Sequence, residues 1–280
     1  MRPIRVPSWS IAAAVTLATA VSVSTPPTRA EAATPVKLSP VPFPDVTIAD
    51  GFWAPRRETN RKTSIPLSLA KLREYGNIAN VDLAALGARE GYHGPIFMDS
   101  DLYKALEAAA YALADHPDPA LDREVDAIVA KLAAAQEADG YLDAWFTVNA
   151  PDRRWTNLRD DHELYCAGHL FEAAVAHFQA TGKRSLLDVA VKLADHVDSV
   201  FGPGPGKRMG YGGHPEIELA LVKLARAANE PRYFDLARFF VESRGRRFFA
   251  EEHGQDPASY DGSYWQDDVP IREPRNIKGH

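Results

Sequence analysis

Apolar residues recur at three- and four-residue steps along most of the chain. After Asp161, the residues Leu164, Ala167, Leu170, Phe171, Ala174 and Val175 draw one continuous stripe. That is the spacing of an amphipathic helix rather than a strand, and Asp160 or Asp161 is placed to cap its start. The pattern predicts three helical hairpins in succession. One runs from Asp99 through Ala110, breaks at His116-Pro117-Asp118-Pro119 and returns through Leu121-Asp122 to Gln136. Another opens at Asp161, breaks at Thr181-Gly182 and returns through Leu187-Asp188 toward Val200. The last opens at His214, breaks at Asn229-Glu230-Pro231 and returns through Phe234-Asp235 to Val241. Helix-pair repeats of about fifty to sixty residues mark a solenoid or closed toroid, because a single pair cannot bury its own faces.

Ahead of the hairpins the pattern changes. Residues 33–59 are Pro-rich, and the alternation from Asp45 to Trp53 predicts a short strand closing at a turn. A helix is predicted from Asn60 to Tyr75, with Pro66 tolerated near its start. Residues 76–96, with glycines at 76, 87, 91 and 94, read as a loop. The fold class is therefore all-α, with residues 60–280 forming the helical domain.

Composition narrows the partners. A net charge of −6 without any long basic run argues against nucleic acid or an anionic membrane. Arg2 and Arg5 followed by the apolar run Ile11–Val23 and Ala30-Glu31-Ala32 predict a secretory signal over residues 1–32. The run is too short to span a bilayer. The mature protein is thus expected to start near Ala33 and to be secreted or held in the cell envelope. Cys166 is the only cysteine, so neither an internal disulfide nor a multi-cysteine metal centre can be assembled from this chain alone. Its place among apolar helix residues predicts a packed thiol.

Polar residues collect where each hairpin's first helix begins: Asp99-Ser100-Asp101, Asp161-His162-Glu163 and His214-Pro215-Glu216, with Gly279-His280 at the next such spacing. If these helices form an inner ring, their starts line one rim of a cavity and suit a polyhydroxylated ligand. Asp99 and Ser100 are also ordinary caps, and Glu163, Glu216 and Glu218 also favour a first turn through the helix dipole. His162 and His214 are the candidates for ligand contact. Trp145 or Phe146, Trp155, Tyr211, Tyr264 and Trp265 are expected in loops, where aromatic faces stack on sugars or anchor packing. The run Gly202–Gly206 lacks a phosphate-loop pattern.

Four segments in order, Phe97-Met98-Asp99-Ser100-Asp101-Leu102-Tyr103-Lys104, Ala135-Gln136-Glu137-Ala138-Asp139-Gly140-Tyr141-Leu142, His162-Glu163-Leu164-Tyr165-Cys166-Ala167-Gly168-His169 and Gly213-His214-Pro215-Glu216-Ile217-Glu218-Leu219-Ala220-Leu221, are similar to glycoside hydrolase family 127. The likeness runs from Asp45 to His280 and covers the N-terminal part of a full family member. It implies an incomplete (α/α)6 barrel, which β-sandwich domains follow in complete members, and a non-reducing-end β-L-arabinofuranosidase of retaining type. It implies that His162, His214 and His280 contact the L-arabinofuranoside. It further implies zinc in the full-length enzyme, holding a cysteine nucleophile with further cysteines and a glutamate, and a separate acid/base glutamate. Those groups belong to segments downstream of His280, so no catalytic role passes to Cys166, Glu163 or Glu216. Where many members have Asp-His, this chain has Asp267-Asp268. The expectation is a partial catalytic domain, inactive by itself. The alternatives are a non-catalytic carbohydrate-binding toroid and another toroid glycosidase or lyase acting on acidic sugars. The lyase reading calls for a basic rim, whereas this rim is acidic and histidine-bearing.

Overall fold

The computed structural model describes residues 39–273. The secretory-signal expectation and His280 lie outside the described residues. The described helices are Trp53–Thr59 (α1), Ile65–Glu74 (α2), Asn77–Ala85 (α3), Asp99–Asp115 (α4), Pro119–Ala135 (α5), Ala144–Asn149 (α6), Glu163–Thr181 (α7), Ser185–Val200 (α8), Ile217–Ala228 (α9), Pro231–Ser243 (α10) and Phe248–Glu252 (α11). No strand forms among the described residues.

The hairpins form because their punctuation is chemically specific. Asp118 caps α5, its Oδ1 accepting from the backbone N–H of Ala120 at 3.0 Å and Leu121 at 3.2 Å, with Pro119 at the first helical position. Gly182 ends α7 in a left-handed conformation, φ 73°, which costs glycine little. Asn229 does the same for α9 at φ 57°. Helix α4 lies along α7, and α7 along α9, while α5, α8 and α10 stack behind them as an outer layer. Every member of the predicted α7 stripe is buried. The helix is buried beyond that stripe because α4, α8 and α9 enclose it. A Cβ on Gly168 would lie 2.7 Å from Glu216 Cγ and 2.8 Å from the Ile217 nitrogen, so glycine there lets α7 and α9 approach closely.

Several expectations are corrected. The predicted strand over Asp45–Trp53 is instead a 3-10 turn, Phe43–Asp45, leading to α1. Asp50 Oδ1 accepts from the Phe52 and Trp53 amides there, and a capped turn overrides the two-residue alternation. Helix begins at Trp53 rather than Asn60 and passes through a π-helical stretch, Asn60–Ser64, into α2. Residues 76–96 are not all loop. Helix α3 forms within them because its buried face packs on α5 and α6. Neither Asp160 nor Asp161 caps α7. His162 occupies the cap position with φ 61° and no side-chain cap bond. Trp145 and Phe146 lie in α6, not a loop, and Phe146, Trp155 and Tyr211 are buried packing residues.

Candidate functional site

His162 and His214 come from separate hairpins and meet at the helix starts. Their ring centroids are 4.1 Å apart and their planes are inclined by 31°. The left-handed backbone of His162 turns its side chain back, so that ring Nδ1 bonds the Asp160 carbonyl. A carbonyl only accepts, so Nδ1 carries the proton and, in the neutral ring, Nε2 is the acceptor. Phe97 backs the His162 ring at 5.1 Å, and Trp265 stands edge-on to His214 at 5.9 Å.

Tyr165 joins the group one turn along α7. Its ring lies 5.7 Å from His162, 5.6 Å from His214 and 4.5 Å from His169. Lys104, from α4, donates to the Tyr165 hydroxyl at 2.7 Å and to Ser100 Oγ at 3.2 Å. One lone pair of the phenol oxygen is thereby engaged, and its O–H remains a donor for a ligand. His169 Nδ1 is 3.3 Å from Glu216 Oε1. Burial, with Lys104 close by, holds His169 down to about 4, so near neutral pH its imidazole is uncharged. Burial first, then the carboxylates of Glu172 and Glu107, push Glu216 above the usual carboxylate range. The contact therefore sets a neutral imidazole beside Glu216 and is not an ion pair between full charges.

Buried carboxylates fix the loop that carries His162. Glu252 accepts from the amides of Leu158 at 2.9 Å and Arg159 at 3.2 Å and pairs with Arg208 at 2.9 Å. Glu163 accepts from the Trp155 amide at 2.6 Å and the Tyr141 hydroxyl at 2.7 Å. Burial raises Glu163 to about 8 against the opposing pull of those two bonds. Its bonds run into the 141–155 packing, which gives it a structural role. Asp99 is buried and does not cap its own helix. It accepts from the Ala144 amide at 2.7 Å and so helps Asp143 to start α6. Asp267 is likewise buried, accepting from the amides of Phe248 at 3.2 Å and Phe249 at 3.0 Å. Glu218 accepts from the Glu216 amide at 3.0 Å and pairs with buried Arg244 at 3.1 Å.

The described residues do not fit a zinc site. No group of three His, Cys, Asp or Glu among them could hold a metal ion. Cys166 is 2% exposed, and burial together with Asp143 and Asp99 pushes its thiol well above the usual range. It is a protonated, packed thiol, as its helix position predicted, and not a metal-binding thiolate.

The structure thus brings together two of the histidines singled out in the sequence, His162 and His214. Lys104, Tyr165, His169 and Trp265 complete the site. Tyr165 and His169 stand three and seven residues after His162 on one helical face, a spacing that could have revealed them. Lys104 and Trp265 had no such signal, because only packing between hairpins places them here.

Comparisons with known proteins bear on the family and the fold. Residues 45–280 match the family model described as β-L-arabinofuranosidase, GH127 catalytic domain. A non-reducing end β-L-arabinofuranosidase of Bifidobacterium longum subsp. longum is 38% identical over 269 residues, covering 84% of this chain and 41% of the relative. This chain therefore spans about 41% of that relative's length. Among solved structures, a GH127 β-L-arabinofuranosidase from Geobacillus stearothermophilus T6 superposes with a TM-score of 0.78 at 41% identity, covering 82% of this chain and 39% of that one. A GH127 β-arabinofuranosidase superposes at 0.75 with 38% identity, covering 83% and 36%.

Proposed function

The chain belongs to the family of GH127 β-L-arabinofuranosidase catalytic domains, and from that premise we propose that its histidine rim holds the terminal L-arabinofuranosyl residue of a plant-type glycan or glycoprotein. The observation that carries the reading is the meeting of His162 and His214 at 4.1 Å, beside a lysine-held tyrosine hydroxyl. His162 Nε2 accepts from a sugar hydroxyl, the Tyr165 O–H donates to a sugar oxygen, and Phe97 and Trp265 wall the pocket. These groups bind and orient. His280, by resemblance, is proposed as a further contact.

The zinc ion and thiolate nucleophile implied by the family are proposed to come from residues other than those described. Cys166, buried and held protonated, is not that nucleophile. Export through a signal over residues 1–32 belongs to the same proposal.

Titration of the protein with L-arabinose by calorimetry tests the binding role. His162→Ala and His214→Ala should each weaken affinity by about tenfold or more, equivalent to about 1.4 kcal/mol per factor of ten, with the thermal melt preserved. Unchanged affinity in both variants would show these histidines to be packing residues.

A further inference from the structure

Arg244 is the first residue past α10, a helix of the outer layer, yet it is only 2% exposed. A buried cation is costly unless it is paired and hydrogen-bonded, and the partners of this one belong to the rim. Nη1 donates to the Trp265 carbonyl at 3.1 Å. Nη2 donates to the Gly212 carbonyl at 2.6 Å and to Glu218 Oε1 at 3.1 Å. Glu218 Oε2 in turn accepts from the Glu216 amide at 3.0 Å. One guanidinium therefore joins the loop just ahead of His214, the segment carrying Trp265, and the start of α9, where Glu216 meets His169. The Tyr211 ring lies against the same guanidinium, its centroid 4.9 Å away.

What happens at Gly212 reaches both imidazoles. The next residue, Gly213, donates its N–H to the Leu158 carbonyl at 2.9 Å. A Cβ on Gly213 would run into the Arg159 carbonyl, so the loop bearing His214 lies directly on the loop bearing His162. Trp265 is anchored from the other side as well, because the Arg247 amide donates to the Asp267 carbonyl at 2.9 Å.

We propose that Arg244 is a positioning residue of the rim, setting the place of His214 against His162 and of Trp265 beside them without touching the sugar itself. The inference rests on the reading of the histidine rim as a sugar pocket. The guanidinium suits the task because its donors form a rigid planar fork that reaches acceptors on three segments at once. An ammonium gathers its donors at one point. Arg244→Lys thus keeps the charge beside Glu218 and loses the span between the Gly212 and Trp265 carbonyls.

A double-mutant cycle in the intact chain tests it. L-arabinose is titrated into wild type, Arg244→Lys, His214→Ala and the double variant, each well below its own melt. Arg244→Lys should weaken affinity about tenfold in the wild-type background and less than twofold once His214 is gone. A residue that supports the fold at large has no reason to show that coupling, so equal losses in the two backgrounds would overturn the inference. Unchanged affinity in Arg244→Lys would do the same. Should the lysine variant not fold, NMR of the unaltered protein decides. Saturating L-arabinose should shift the Arg244 guanidinium N–H signals and slow their exchange with water, and signals that stay put would overturn the assignment. Loss of binding in His162→Ala and His214→Ala but not in Arg244→Lys defeats this inference alone. A wild type that does not bind L-arabinose defeats the rim reading, and this inference with it.

Discussion

His162 shows how much a single residue must accommodate to serve this rim. Its left-handed backbone (φ 61°) costs a non-glycine residue on the order of 1–2 kcal/mol, and Glu163 and Glu252 hold the loop that imposes it. The return is an imidazole pinned by Asp160 with its acceptor nitrogen defined. His169 carries a different consequence. Its folded value near 4 lies below the ordinary 6.5 because burial penalises the charged ring. Between those values the unfolded chain binds the proton and the folded protein does not. Stability is therefore lost as pH falls from about 6.5 toward 4 and is insensitive to this group above that window. Thermal melts across that range should show less acid loss for His169→Gln than for wild type. Parallel curves would mean that the imidazole is more solvated than its packing implies. At this scale His162 and His214 were legible in the sequence, because polar residues repeat at the helix starts. Lys104 was not recognisable as their neighbour, since it lies 61 positions from Tyr165 in the chain.

At the scale of elements, the hairpins were legible because long 3.6-residue periodicity and breakers such as Asp118-Pro119 and Gly182 act locally. Short elements were not. Helices α3 and α6 depend on partners distant in sequence, the Ala144 amide at the start of α6 donating to the Asp99 carboxylate. The predicted strand failed because Asp50 offers a capping oxygen that periodicity does not see. Gly168 links element packing to the site. Alanine there gains about 1 kcal/mol of helix propensity, yet its Cβ meets Glu216 and Ile217 at 2.7 and 2.8 Å. Overpacking costs typically 1–3 kcal/mol, so Gly168→Ala should be net destabilising in chemical denaturation. It should also weaken L-arabinose binding by moving His214 away from His162. A stabilised variant with full affinity would mean that α9 yields freely.

For the whole molecule, the proposal separates holding a sugar from cleaving its bond. The 280-residue chain has one cysteine, buried and protonated. It should release no arabinose from a β-L-arabinofuranoside above the uncatalysed rate, even with zinc added, and detectable turnover would sink that division. Phe234, at the repeated apolar-Asp position of an outer helix, is 50% exposed, whereas its counterparts Leu121 and Leu187 are buried. The repeat thus marks a helix surface, and the neighbouring layer decides whether that surface is covered.

The sequence by itself determined the all-helical class, the hairpin order, the packed cysteine and the two described histidines. Each of these follows from local periodicity, capping chemistry or a short motif. The tertiary structure alone decided that His162 meets His214, that Tyr165 and Lys104 stand beside them, and that Glu163 and Asp99 are structural. Those outcomes depend on how closely helices from different hairpins approach. That approach is set by side-chain volume at crossings such as Gly168, summed over contacts that no local pattern records.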